Sequence, residues 1–131
     1  MEVVRVLVAA AGSWLFGAVW YMVLAKPWMA AARVAVGPDG RPKNAASPLP
    51  YILSAVCMLL VAGMMRHVFS MAAMTTVVEG LMGGAGIGLF FISPWIMINN
   101  AYAGRPFTLT LIDGGYATIG CTIIGVLLML V

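Results

Sequence analysis

Charged residues are scarce in this chain of 131 residues, of which only 8% are Asp, Glu, Lys or Arg. Soluble domains carry about 25% of such residues, so the composition excludes a soluble globular domain. The seven Lys and Arg residues exceed the four Asp and Glu residues by only three, which is too sparse a set for a basic nucleic-acid surface. We therefore predict that nucleic acid is not a partner.

Histidine and cysteine are also rare, and the familiar catalytic motifs are missing. The chain has one histidine, His67, and two cysteines, Cys57 and Cys121, which do not have the spacing of a zinc site. Both cysteines lie in apolar stretches and are interpreted as small hydrophobic residues, with a disulfide between them left open. Because phosphate loops, nucleophile elbows and HExxH sequences are absent, we expect no enzymatic activity, no metal and no cofactor.

What the chain has instead is hydrophobic residues, which make up 63% of it. A helix of about 20 apolar residues crosses the hydrocarbon core of a bilayer. Uncharged runs of about that length predict transmembrane helices at about 4–25, 51–65, 72–98 and 108–131. The predicted fold class is all-α, an integral membrane bundle of four transmembrane helices in a single domain, 1–131, with the lipid bilayer as partner.

The positive charges indicate an orientation for these four helices. Five of the seven Lys and Arg residues fall on the side of the first and third connections: Lys26, Arg33, Arg41, Lys43 and Arg105. Arg5 and Arg66 fall on the opposite side. Because cytoplasmic loops are enriched in Lys and Arg, we predict that the loop at about 29–50 is cytoplasmic and that both termini are not.

Two stripes of small residues recur at four-residue spacing, which lets helix backbones approach closely in a membrane. The first helix carries Ala9, Ser13 and Gly17, and the third carries Gly80, Gly84 and Gly88. We interpret both stripes as packing faces, within the bundle or between protomers. The alternative is that the glycines mark an unwound segment at a transport site.

Polar residues at membrane depth mark functional sites or structural ion pairs, and Asp113 is the leading case. The predicted topology brings it to one face of the membrane with other polar and aromatic residues, which form a predicted binding cluster: Trp20, Tyr21, Lys26, Trp28, Asn99, Asn100, Tyr102, Arg105, Asp113 and Tyr116. The alternative is structural, with Asp113 paired to Lys26 or Arg105 and the aromatics forming an interfacial belt.

A second, smaller polar group belongs to the opposite face of the membrane. Glu79 is expected near the entry of the third helix, close to Arg66 and His67, where a carboxylate also suits a helix N-terminus. If a transport path crosses the bundle, we predict that Glu79 and His67 lie at its opposite mouth, on this face of the membrane.

Four segments carry a resemblance to a known family: 17–21 (GAVWY), 26–29 (KPWM), 99–106 (NNAYAGRP) and 112–116 (IDGGY). Together they resemble the bacterial family called domain of unknown function 1761, which consists of small four-helix membrane proteins. The chain departs from that family at 22–25 (MVLA), where a glycine-proline turn is often found. The resemblance implies a fold and a bacterial cytoplasmic (inner) membrane, and no activity.

The composition and the polar cluster lead to two functional expectations. The first is a homo-oligomeric transporter or channel for an ion or small solute, with Asp113, Asn99 and Tyr116 lining the site. The second is a structural or accessory subunit that packs against a larger membrane protein through its glycine faces.

Overall fold

The computed structural model describes residues 2–131 and is helical throughout its long segments. Its elements are α1 (Glu2–Val23), α2 (Ala25–Ala32), α3 (Leu49–Met71), α4 (Val77–Gly86), a π-helical segment (Ile87–Ile92), α5 (Ser93–Tyr102) and α6 (Phe107–Leu130). Four apolar stretches are long enough to cross a membrane: α1, α3, the continuous run from α4 through α5, and α6. The all-α prediction with four membrane-spanning helices is confirmed, and the chain is a multi-pass membrane protein.

The boundaries of the second and third spans differ from the predicted ones. α3 runs to Met71 rather than to residue 65, and the next span begins at Val77 rather than at 72. Arg66 therefore lies inside α3, where its Nη2 donates to Glu2 Oε1 at 2.9 Å. The prediction treated this charge as the end of the helix. A long basic side chain can lie near the end of a membrane helix because its charged head reaches the membrane surface.

Two prolines lie where the first and third spans depart from regular α-helix. Pro27 has no N–H to donate to Val23, four residues earlier, and α1 ends at Val23 before α2 begins. Pro94, which also lacks an N–H, follows the π-helical segment as the second residue of α5. There the Ser93 N–H reaches five residues back to the Gly88 carbonyl, so a wider turn accommodates the proline without ending the helix.

α6 lies at the centre of the bundle and contacts every other helical element. α1 packs on one side of it, the run from α4 to α5 packs on another, and α3 packs mainly on α1. The side chains of Phe69, Ile124 and Leu128 are fully buried among these helices. The bundle has two ends: the terminal end, with Glu2 and Arg66, and the α2 end, with α2 and the start of α6.

The connection after α2 is a short ordered hairpin. Arg33 adopts a left-handed conformation that ends α2, and the Gly37 N–H donates to the Arg41 carbonyl at 2.8 Å. Lys43 N–H donates to the Ala35 carbonyl at 2.9 Å, which closes the hairpin. Because α2 occupies residues up to Ala32, the predicted loop at 29–50 is shorter in the structure.

Candidate functional site

The candidate site is centred on the carboxylate of Asp113, which lies six residues after the first residue of α6. At 1.5 Å per residue this is about 9 Å along the helix. The Tyr21 hydroxyl donates to Asp113 Oδ1 at 2.6 Å. Both ion pairs among residues 2–131 are made by Glu2, so Asp113 pairs with no cation there. The structural alternative, an ion pair with Lys26 or Arg105, is therefore not formed.

The hydroxyl of Tyr116 lies one turn deeper, between α6 and α1. It donates to the Ser13 carbonyl at 3.2 Å and lies 3.4 Å from the Met58 sulfur. Ser13, Gly17 and Tyr21 are spaced by four residues and share one face of α1. A Cβ at Gly17 would lie 2.8 Å from the Tyr116 ring, so the glycine makes room for the aromatic ring.

Aromatic side chains surround the Tyr21–Asp113 pair. The Tyr21 ring meets the rings of Tyr116 and Trp28 edge-on, at centroid distances of 5.5 and 6.0 Å. Trp20 donates its indole N–H to the Ile112 carbonyl at 2.9 Å. The Asp113 carboxylate, bonded to Tyr21 beside these rings, is half-buried. We call Tyr21, Asp113, Tyr116, Trp20 and Trp28 the aromatic carboxylate site.

The structure brings together only part of the predicted cluster. Lys26 is exposed, as are Asn99 and Tyr102, which lie on the outer face of α5. Arg105 forms no ion pair within residues 2–131. Asn100 lies at a separate corner, where its amide donates to the Thr110 hydroxyl at 3.2 Å. Shared membrane depth placed these residues together in the prediction, but their helix faces separate them.

A small cavity lies next to the site, at the level of Tyr116. It has a volume of about 40 Å³ and lies between α1, α3, α6 and the π-helical segment, with Ser13, Met58 and Cys121 in its lining. Cys121 is buried, Cys57 is exposed, and both are free thiols, so the disulfide left open is not formed. A group of three or more His, Cys, Asp or Glu residues able to hold a metal is absent from residues 2–131.

The glycine stripe of the third span faces α6 directly. A Cβ at Gly80 would overlap the Gly125 carbonyl oxygen, and one at Gly84 would overlap the carbonyl oxygen of Cys121. Gly88 meets the Ala117 carbonyl in the same way. The backbone remains helical through Gly88, with a π turn in place of an unwound segment. The stripe therefore forms a close packing seam within the chain.

Ser93 is a polar contact that the sequence reasoning missed. Its hydroxyl donates to the Gly88 carbonyl at 2.7 Å and lies 3.2 Å from the Gly114 carbonyl. Thr118 lies 3.4 Å from the same hydroxyl. A serine directly before a proline inside an apolar helix was the available signal, because a serine hydroxyl can donate to backbone carbonyls where a proline interrupts the hydrogen-bond pattern of a helix.

A family model described as "Protein of unknown function (DUF1761)" matches residues 4–129, which is nearly the whole chain. The chain belongs to the DUF1761 family. No curated protein and no solved structure matches it significantly. The resemblance to this family is therefore confirmed, and membership assigns no reaction, substrate or partner to the chain.

In this DUF1761 protein, the segments that carried the resemblance supply the site. Residues 17–21 contribute Trp20 and Tyr21, and residues 112–116 contribute Asp113 and Tyr116. The segment 99–106 forms the end of α5 and the turn before α6 instead. Gly104 there has a φ of +68°, a conformation suited to glycine, and the next N–H closes the turn onto the Asn100 carbonyl.

At the terminal end of the DUF1761 protein, Glu79 caps the N-terminus of α4. Its carboxylate accepts the N–H groups of Thr75 and Thr76 at 2.7 and 2.9 Å, while the Thr76 hydroxyl accepts the Glu79 N–H. This reciprocal pair is a capping box. Arg66 bonds to Glu2 rather than to Glu79, and His67 is exposed on α3. The predicted opposite mouth is therefore not assembled as one cluster.

Proposed function

We propose that this DUF1761 protein is a homo-oligomeric transporter or channel for a small cation, with Asp113 as the group that binds the cation. The observation that supports this most is the carboxylate itself, which accepts a tyrosine hydroxyl and pairs with no cation in residues 2–131. An intramembrane carboxylate is costly, and such residues commonly lie on ion and proton pathways.

The position of Asp113 favours binding over a purely structural role. A structural carboxylate in apolar surroundings is normally neutralised by a neighbouring cation. Here the neighbours are the Tyr21 hydroxyl and the aromatic rings of Tyr116 and Trp28, which pack around Tyr21. The negative charge is thus available to a cation that arrives at the α2 end.

The proposal requires an assembly of several chains. The cavity of about 40 Å³ beside Tyr116 is too small for a hydrated ion. A larger cavity of about 210 Å³ lies between α1 and α3, and its lining residues do not include Asp113. The half-buried Asp113 lies near the chain surface instead. A continuous path past Asp113 is therefore proposed to lie between subunits, in a cytoplasmic membrane with the termini outside and the α2 hairpin inside.

The proposal is tested by measuring charge movement across a supported membrane that carries reconstituted protein, with native mass spectrometry of the same preparation. We expect a closed homo-oligomer and a current that falls at least tenfold in Asp113→Asn. Asp39→Asn is the matched control, because Asp39 lies in the hairpin and bonds only to the Arg41 N–H. An unchanged current in Asp113→Asn would overturn the role of Asp113.

The accessory-subunit alternative is less favoured by the geometry. It required glycine faces free to pack against a partner, but Gly80, Gly84 and Gly88 already lie against the backbone of α6. An interface with another protein would have to use a different surface. Recovery of a stoichiometric foreign subunit with the gently extracted protein, and no homo-oligomer, would favour the accessory role over the transporter.

A further inference from the structure

We infer that Asp113 is a proton-exchanging site, so that the cation bound in the aromatic carboxylate site is a proton. This inference rests on the proposed function and names its substrate. The exchange is a simple one: the carboxylate takes up a proton from water at the α2 end and later releases it to water, while Tyr21 keeps its own proton and remains the hydrogen-bond donor.

The number of oxygen atoms at the site argues against a metal cation. Hard cations such as Mg²⁺ and Ca²⁺ take about six to eight oxygen ligands. The side-chain oxygens at this site are those of the Asp113 carboxylate and the hydroxyls of Tyr21 and Tyr116, and the Tyr116 hydroxyl is already bonded to the Ser13 carbonyl. The adjoining groups are aromatic rings and an indole N–H, which donates to the Ile112 carbonyl and cannot bind a cation. A proton needs only the carboxylate.

The packing of the rings argues against an organic cation. An ammonium group is held over the face of an aromatic ring, within about 6 Å of its centroid. The Tyr21 ring instead packs edge-on against Tyr116 at 5.5 Å and against Trp28 at 6.0 Å. These rings pack against one another, whereas protonation adds no volume and neutralises the half-buried charge.

Within a single chain, the groups around Asp113 limit the exchange to one side of the membrane. Tyr21 faces it from α1, Tyr116 follows one turn along α6, and α2 contributes Trp28 against Tyr21. Beyond the Tyr116–Ser13 hydrogen bond the core is apolar, with Ala10, Ile124 and Leu128 buried. The hydroxyl-bearing part of the α1–α6 interface therefore ends inside the membrane. Within one chain, proton exchange therefore occurs from the α2 end, and release to the other side requires the proposed path between subunits.

Infrared difference spectroscopy between about pH 4 and pH 10 tests this inference on the full chain in lipid vesicles. The chain has only four Asp and Glu side chains, so the spectrum of carboxylic acids is simple. We expect a carboxylic-acid band that disappears in Asp113→Asn and persists in Asp39→Asn. Tyr21→Phe should retain the band at a shifted frequency, because the 2.6 Å hydrogen bond is lost.

Two results would overturn the inference. One is a set of spectra in which Asp113→Asn matches the unaltered protein over the whole pH range. The other, which does not depend on the folding of Asp113→Asn, is a Tyr21→Phe spectrum with no shifted band. A titrating Asp113 with no charge movement would support the proton site and overturn the transporter. A current driven by K⁺ or Na⁺ without a titrating Asp113 would support the transporter and overturn the proton site.

Discussion

The two sides of α6 are packed by different means. Toward α4, backbone lies on backbone: Gly80 and Gly84 meet the carbonyl groups of Gly125 and Cys121 with no side chain between them. Toward α1, side chains separate the helices, with the Tyr116 ring lying against Gly17 and the Trp20 ring over Gly115. The first interface we call the glycine seam and the second the aromatic seam.

The difference separates packing from chemistry within one small bundle. The glycine seam gains van der Waals contact and offers no side-chain group that exchanges protons or binds ligands. The aromatic seam holds the hydroxyls, the indole N–H and the carboxylate of the candidate site. Side chains that adopt alternative rotamers can move, whereas apposed backbones cannot. We therefore expect the glycine seam to be rigid and any conformational change to occur in the aromatic seam.

The largest effect is expected from Gly84→Ala in the glycine seam. Its Cβ would overlap the Cys121 carbonyl, and neither backbone can withdraw. We expect a loss of about 3 kcal/mol in the free energy of unfolding, measured by SDS titration in mixed micelles with circular dichroism. Gly86→Ala is the control, since a Cβ there meets no atom within 4 Å. Equal stability of the two variants would show that the seam is not close-packed.

A smaller effect is expected from Gly17→Ala in the aromatic seam. The new Cβ would lie 2.8 Å from the Tyr116 ring, which can rotate away. We expect a loss of about 1 kcal/mol in the same titration, together with a weakened Tyr116–Ser13 hydrogen bond. Gly63→Ala serves for comparison, because its Cβ meets only Val6 at 4.0 Å. A loss as large as that of Gly84→Ala would remove the distinction between the seams.

Trp20→Phe should have an effect of similar or smaller size. It keeps an aromatic ring and removes the 2.9 Å hydrogen bond to the Ile112 carbonyl. A neutral hydrogen bond contributes about 1 kcal/mol net, which is the expected loss of unfolding free energy. Trp95→Phe, at an exposed tryptophan on α5, should leave stability unchanged. If both variants behave alike, the indole hydrogen bond does not stabilise the seam.

The smallest effect is expected from Asn99→Leu, which lies outside both seams. Asn99 is exposed on α5, so stability should change by no more than about 0.5 kcal/mol. The current measured for the reconstituted protein should also persist. A current lost in Asn99→Leu, with the fold intact, would extend the site from the aromatic seam onto the outer face of α5.

Periodicity and charge predicted much of this fold, and they failed where side-chain direction mattered. The four spans follow from uncharged length alone, whereas the break between α1 and α2 near Pro27 was not predicted. The predicted end of α3 near residue 65 rested on Arg66, whose charge is accommodated by Glu2 from another helix. A contact over 64 residues of sequence is not visible in any local pattern.

Only part of the candidate site was predicted, because the direction of side chains again decided which residues meet. Asp113 and Tyr116 are three residues apart, a spacing that places both on one helix face, and both contact α1. Asn99 and Tyr102 were grouped with them by membrane depth, and the rotation of α5 turns both outward. Helix rotation depends on packing against neighbours, which depth does not specify.

The sequence by itself determined that this DUF1761 chain is a four-span membrane protein with one intramembrane aspartate. Apolar length and the scarcity of charge depend only on composition along the chain. The tertiary structure decided that the stripe of the third span forms the glycine seam and that Gly17, in the stripe of the first helix, makes room for the Tyr116 ring. It also decided that Asp113 bonds to Tyr21 rather than to Lys26 or Arg105. These outcomes depend on how whole helices rotate and pack, because hydrogen bonds and close contacts form only between faces that meet.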